Sequence, residues 1–520
     1  MREPTKKYIT SVIEQIRCKK VRKNISDELL NHIMEQKQDY IDCGMSDDEA
    51  EEKAVIDMGD PVDVGVNFDK IHRPKPQWSL IFGVLALMII GVLIQLFCYS
   101  GITDHYIYGN SYGTYRTYNM ILGCVVGLVC MFVIYFIDYT VIFKKPVILY
   151  IALIALVVIY TLVLDINYIN GRYVGIIPEA LIITVPIVGS IVYSMKNKGV
   201  MGMIKFIFIS LIIFICFAMI NNLSNGFFAC WGLFFILIAI CKDNWFCLKK
   251  YEKVAFVLYL IIVSFFIIKI MLDSPYRMAR FEAIFDYESD KYGFGYNIFV
   301  TKSILSSCVM FGQGNPVMLD GNIVDINNYF PLIEDGKEFL MFMYRFGKIP
   351  ALILTILIFT FLIKIVIRSF REKNKMGRFI AVSISGIFFG KIIFYFMDNL
   401  GFYFVQSFIP FMGYGKNFMV INGILMGILL SVFRNTDVVF EKNIFKERIY
   451  KNFDFSKAWD FISCKDVDEE QFIEDSESKE IYNKGYDDGY TDASYKLDSY
   501  RNRFITYVDG MIIINLKKRE

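Results

Sequence analysis

Histidine is nearly absent: His32, His72 and His105 are the only three in 520 residues. None lies in the later apolar part of the chain, so acid–base chemistry there must fall to carboxylates. The eleven cysteines contain no Cys-x-x-Cys pair. Several sit inside apolar runs (Cys124, Cys130, Cys216, Cys230), so neither a zinc site nor a disulfide framework is supported. An excess of charge of either sign is also missing. A formal net charge of +2 gives no electrostatic footprint for nucleic acid. The first residues are charged and polar, which predicts no signal peptide.

Apolar residues fill the space. They make up 55% of the chain, with 48 Phe and 33 Tyr and a mean hydropathy of +0.43. This composition predicts a multi-pass, all-α membrane protein. Stretches long enough to span, at about 20 residues each, fall at 78–99, 119–143, 146–165, 175–195, 201–220, 226–241, 254–272, 342–367, 378–397 and 402–433. That makes ten, the last containing a break. Lys144, Lys145, Lys196, Lys198, Lys242, Lys249 and Lys250 occupy alternate short loops, followed by Arg368, Arg371, Lys373, Lys375 and Arg378. The opposite loops hold little beyond Arg116 and Arg172. Lys/Arg asymmetry then predicts both termini in the cytoplasm and the loop 273–338 on the outer face of the membrane.

Three regions follow. Residues 1–76 read as a small cytoplasmic helical domain, similar to the permease-prefix type. Its helices are marked by Tyr8, Ile9, Val12, Ile13 and Ile16, and by Leu29, Leu30, Ile33 and Met34. Ser26 is the expected N-cap of the second helix and Gly44 its stop, and Ser46 with Glu49 forms a capping-box pattern for a third. Residues 77–434 are the membrane domain. Residues 435–520 are a cytoplasmic tail with a possible strand pair around Asp509-Gly510 and no recognisable chemistry.

The polar loop carries glycines, aromatics and both signs of charge in a specific order. Pro275-Tyr-Arg277-Met-Ala-Arg280, Ile284-Phe-Asp286 and Gly293-Phe-Gly295-Tyr296-Asn297 occur there, then Gly312-Gln-Gly314, Tyr329-Phe-Pro331 and Gly347. Upstream are Asn170-Gly171 and Pro178-Glu179. Downstream are Pro410-Phe411-Met-Gly-Tyr414-Gly415 and a last span running from Gly423 to Arg434. In order and spacing this set resembles the FtsW/RodA/SpoVE (SEDS) family over residues 78 to 434.

The resemblance implies a ten-span SEDS-like fold. It also implies polymerisation of lipid-linked disaccharide-pentapeptide (lipid II) on the outer face, beside a class B penicillin-binding protein, in division, elongation or sporulation. Such chemistry asks for a carboxylate base at the acceptor hydroxyl, and for cations or a divalent Mg or Mn ion at the leaving pyrophosphate. The family's base motif is shifted here, and either Asp335 or Glu338 falls near it. Asp335 before Gly336 is equally good turn chemistry, and Glu338 suits a helix N-terminus. Arg277 and Arg280, just beyond a span, suit a phosphate or pyrophosphate. Lys337, Arg345, Lys416 and Glu179 complete the candidate binding set, although Lys416 also suits snorkelling to an interface. Tyr344-Arg345 replaces a family carboxylate pair, and Gly413-Tyr-Gly-Lys416-Asn417 replaces a family Ser-Tyr-Gly-Gly-Ser. Changes concentrated at the site leave a second reading, a non-catalytic scaffold for a cell-wall synthase. A lipid-precursor translocase ranks last, because the spans carry few ionisable groups.

Overall fold

The computed structural model describes residues 3–99, 112–163, 168–169, 172–173, 175–220, 222–249, 252, 275–324, 326, 336–413, 415–438, 505–508 and 511–514. The N-terminal domain holds four helices: α1 (Glu3–Gln15), α2 (Lys19–Asp42), α3 (Asp47–Asp57) and α4 (Pro61–Ile71). Helix α2 runs straight through Ser26 rather than starting there. Val21, Ile25, Leu29 and Ile33 are all buried, an i, i+4 stripe that rewards extending the helix by two turns. Gly44 ends the turn at φ +93°, and the Ser46–Glu49 capping box is present. The fourth helix follows from Asp60, whose side chain accepts from the Val62 N–H, and from Pro61 in the first turn. Tyr8, Ile9, Val12 and Ile16 of α1 close on the α2 stripe and Ala54, and Val438 from beyond the last span joins the same core.

Eight helices among the described residues are long and apolar enough to cross a bilayer, and Pro146–Thr161 is a shorter apolar ninth. The expected span at 254–272 lies outside the described residues. The helices are α5 (Trp78–Tyr99), α6 (Tyr112–Phe136), the short α7 (Tyr139–Ile142), α8 (Pro146–Val163), α9 (Ile176–Ala180) and α10 (Thr184–Tyr193). The last two are joined by a 3-10 turn into one span. Then come α11 (Gly199–Met219) and α12 (Leu223–Asp243).

Two expected spans are interrupted, each where the packing around it decides. The stretch expected at 342–367 divides into α15 (Glu338–Phe346) and α16 (Lys348–Phe370). Gly347 separates them at φ +100°, and a Cβ there would lie 2.6 Å from the Met310 carbonyl. The stretch expected at 402–433 yields a helix only from Lys416, α18 (Lys416–Arg434). Before it, residues 402–413 run as irregular backbone with Ser407, Ile409 and Phe411 buried, tolerable at depth only when enclosed by protein. The span expected at 119–143 stops at Phe136, where Asp138 caps α7 instead.

Helix α17 (Lys375–Asn399) is the hub, with most of its residues buried. Helices α10 and α12 pack along it, and Arg378 Nη1 of α17 donates to both carboxylate oxygens of Asp243 of α12 at 2.6 and 2.8 Å. Helices α6 and α18 meet through paired small-residue motifs, Gly123-x-x-x-Gly127 and Gly423-x-x-x-Gly427. A Cβ on Gly423 would sit 2.3 Å from the Gly127 carbonyl, so the two backbones touch.

At the end opposite the N-terminal domain, the polar loop folds into α13 (Pro275–Phe285), α14 (Tyr296–Ser307) and a hairpin. That hairpin pairs β3 (Val317–Leu319) with β4 (Asn322–Val324) around Asp320-Gly321. Two further two-stranded pairs are β1 (Tyr168–Ile169) with β2 (Arg172–Tyr173) and, in the tail, β5 (Ile505–Val508) with β6 (Met511–Ile514). The tail strands flank positions 509–510, where the sequence predicts a pair. Backbone bonds strap the loop to the membrane helices: Gly314 N–H to Tyr344 O at 2.7 Å, Gly312 N–H to Phe346 O at 3.0 Å and Lys348 N–H to Val309 O at 2.9 Å.

Candidate active site

The start of α15 is clamped onto the end of α17. Gly336 adopts φ +107°, and a Cβ there would approach the Ser407 carbonyl to 2.9 Å, so this turn needs glycine. The Gly336 carbonyl accepts from Asn399 Nδ2 at 3.0 Å. Lys337 is 2% exposed and Asp398 is fully buried. The ammonium donates to Asp398 Oδ1 at 2.5 Å and to its carbonyl at 2.7 Å. Two of the N–H groups that a helix start leaves unpaired are met by side chains of α17. The Phe339 N–H reaches Tyr395 Oη at 3.0 Å and the Leu340 N–H reaches Asn399 Oδ1 at 3.0 Å.

Glu338 sits in the first turn of α15 and is 3% exposed. Tyr395 donates its hydroxyl to Glu338 Oε2 at 3.4 Å. The carboxylate thus lies where the helix dipole favours it and is enclosed by α17. Arg280 joins from α13: its guanidinium stacks 5.0 Å from the Tyr403 ring and meets the Tyr403 hydroxyl at 3.4 Å. The Lys337 ammonium lies 5.9 Å from the same ring. Tyr403 therefore gathers two of the candidate cations, which are 57 positions apart in sequence.

A second polar layer lies deeper in the bundle. Ser407 donates to the Lys391 carbonyl at 2.8 Å, linking the turn at Gly336 to mid-α17. The Lys391 ammonium, 2% exposed, reaches Asn422 Oδ1 of α18 at 3.2 Å and lies 4.6 Å from the Phe418 ring. Glu179 of α9 is within electrostatic reach of it and accepts from Asn225 Nδ2 at 2.6 Å. Burying these groups inside an apolar bundle is costly unless they are paired or used.

Of the candidate residues, the structure brings together Arg280, Lys337 and Glu338, and ties Glu179 into the deeper layer. Arg345 is half-buried two turns along α15, and Lys416 is exposed at the start of α18. Arg277 lies on α13 with its side chain outside the description, and Asp335 lies outside the described residues. Sequence reading missed Asp398, Asn399, Tyr395, Lys391 and Asn422. Lys391 carried a usable signal, a cation within an apolar span. The others carried none, because each acts through a partner distant in sequence. Among the described residues no cluster of three or more His, Cys, Asp or Glu could hold a metal.

No family model matches the sequence. Over 170 residues the chain is 24% identical to the probable peptidoglycan glycosyltransferase FtsW of Trichlorobacter lovleyi. That match covers 32% of this chain and 43% of the relative, so the chain spans less than half the length of the curated relative it matches. Among solved structures, a chain from a peptidoglycan synthase complex coordinating polymerization and crosslinking has TM-score 0.54 at 15% identity. It covers 69% of this chain and 98% of that one. The rod shape determining protein RodA of Thermus thermophilus has TM-score 0.46 at 13% identity, covering 69% and 97%. The chain is a multi-pass α-helical membrane protein of a bacterium. Its fold is that of the synthase-complex chain, and its ordered motifs and the FtsW match make it similar to the FtsW/RodA/SpoVE (SEDS) family.

Proposed function

We propose that the chain is a peptidoglycan glycosyltransferase that polymerises lipid II on the outer face of the membrane, working beside a class B penicillin-binding protein. In this reading both termini are cytoplasmic and the α13–α15 side faces outward. The observation that carries it is the anchored turn Gly336–Lys337–Glu338, with Arg280 gathered beside it on Tyr403. Its supports are the family resemblance of the motifs and the likeness to the FtsW relative and to a synthase-complex chain.

The chemistry divides among these residues. Glu338 is enclosed against α17, with the Tyr395 hydroxyl on one oxygen, so we assign the base to Asp335, immediately before the anchored turn. It would take the proton of the acceptor hydroxyl as that oxygen attacks the sugar carbon bearing the pyrophosphate. Arg280, with Arg277 one turn earlier on α13, would stabilise charge on the departing pyrophosphate. Lys337 positions the turn through Asp398. A divalent cation, where one is needed, would arrive with the pyrophosphate.

The test is glycan-strand formation from purified lipid II, with and without a class B partner, for wild type, Asp335→Ala and Glu338→Gln. Asp335→Ala is expected to lose about 100-fold or more of the rate, while Glu338→Gln, which keeps the hydrogen-bonding outline, retains most of it. Polymer from Asp335→Ala at the wild-type rate would remove Asp335 as the base. No polymer from any form, with the class B partner still bound, would leave the scaffold role instead.

A further inference from the structure

A cavity of about 260 Å³ lies where the N-terminal domain meets the membrane domain, lined by Cys18, Lys19, Lys20, Asp138 and Arg434 together with the apolar Phe136 and Val438. It sits at the ends of α6 and α18, level with the Lys/Arg-rich loops, and so at a membrane surface. Among the described residues its charges do not balance. Asp138 is the one carboxylate lining it there, and both oxygens are engaged: one takes Lys20, and the other caps α7 by accepting the Thr140 N–H at 3.0 Å. Neither Lys19 nor Arg434 makes an ion pair among the described residues. Arg434 is held in place rather than neutralised, 5.0 Å from the Tyr135 ring and 5.6 Å from the Phe136 ring, with one bond to the Tyr135 carbonyl at 3.4 Å. Among the described residues that is the one hydrogen bond made by its five N–H donors.

The surroundings add to the imbalance. Lys19 and Lys20 open α2, Cys18 gives that helix start no side-chain cap, and no acidic residue occupies the first turn. Cations at a helix start are unfavourable, because the backbone dipole is positive there. Two chain regions more than 400 residues apart thus bring cations to one cavity whose single acid among the described residues is already taken. We infer that this cavity binds a phosphate-ester anion at the junction of the two domains. Its size fits a headgroup, and its apolar wall at Phe136 and Val438 fits the carbon attached to one. The source is an anionic phospholipid of the adjoining leaflet or a free phosphate; the charge pattern serves both.

The test uses the full chain and thermal unfolding. Nanodiscs of phosphatidylcholine are compared with nanodiscs containing phosphatidylglycerol, and detergent-solubilised protein is titrated with inorganic phosphate. Lys19→Glu reverses a charge inside the cavity, and Lys23→Glu makes the same net change outside it. Wild type and Lys23→Glu are expected to gain several degrees from an anion, while Lys19→Glu gains none. Without any anion, Lys19→Glu is expected to melt above wild type, since an acid in the first turn suits the dipole. A gain from phosphatidylglycerol alone identifies a lipid headgroup, and a gain from inorganic phosphate as well identifies a site open to free anions. The inference is overturned if neither anion raises the wild-type midpoint, or if Lys19→Glu gains as much as wild type.

Discussion

The Lys337–Asp398 pair places two charges out of reach of water, 3% and 0% exposed at their side chains. A buried pair of this kind adds little against an apolar replacement, but breaking it leaves an uncompensated charge. Lys337→Met is therefore expected to cost about 3–5 kcal/mol in unfolding measured in detergent. Lys337→Met with Asp398→Leu is expected to recover most of that loss. A single substitution without cost would mean that the pair does not anchor the turn. Lys337 was legible in the sequence only as a cation near a candidate base. Its partner was not legible, because 61 positions separate them and neither residue type at such a distance announces the other.

At the scale of elements, the contact of α6 with α18 depends on hydrogen atoms where other residues carry a Cβ. Lipid tails are as apolar as side chains, so close backbone packing has to hold such helices together. Gly423→Ala would press a methyl group against the Gly127 carbonyl at 2.3 Å. The expected loss is about 2–3 kcal/mol, read as a lowered midpoint of unfolding. Gly83→Ala is the contrast: its Cβ would meet only the ring of Phe361 at 2.7 Å, which can turn aside, and the expected loss is below about 1 kcal/mol. Equal losses at both sites would mean that helix propensity, not backbone contact, sets the cost.

Across the whole molecule, the N-terminal domain is joined to the membrane domain through Asp437. Lys75 and Lys373 each reach its carboxylate at 2.8 Å, and His72 Nδ1 lies 3.0 Å from its carbonyl. Lys75 also donates its N–H to the Arg434 carbonyl at 3.1 Å. Desolvation works to raise the Asp437 carboxyl, but the hydrogen bonds from Lys373 and Lys75 outweigh it and hold the group below its ordinary 3.8. A carboxyl lowered in the fold contributes stability that is complete above its unfolded value and is lost as pH falls through the folded one. Docking should therefore hold at neutral pH and loosen in acid below about pH 4. Hydrogen exchange across 61–77 is expected to rise there in wild type. In Asp437→Asn it should be raised already at neutral pH and flat through the acid range. The same profile in both proteins would place the docking elsewhere, in the insertion of Val438 into the N-terminal core.

Local chemistry was enough for much of this molecule. Apolar runs of spanning length, the Ser46 capping box, Gly44 as a helix stop and Glu338 as a helix start are all readable in sequence, because each depends on neighbours within a turn or on burial in lipid. The SEDS resemblance was readable because its motifs keep their order. Tertiary structure alone decided where helices break and which charges meet. Gly347 breaks a helix because Met310 and Phe311 press against it, and residues 402–413 leave helical form because the bundle encloses their backbone. Asp398, Tyr395 and Asn399 became part of the site because α17 carries them to the start of α15. Pairings of that kind are set by where packed helices end in space, a quantity that no local spacing encodes.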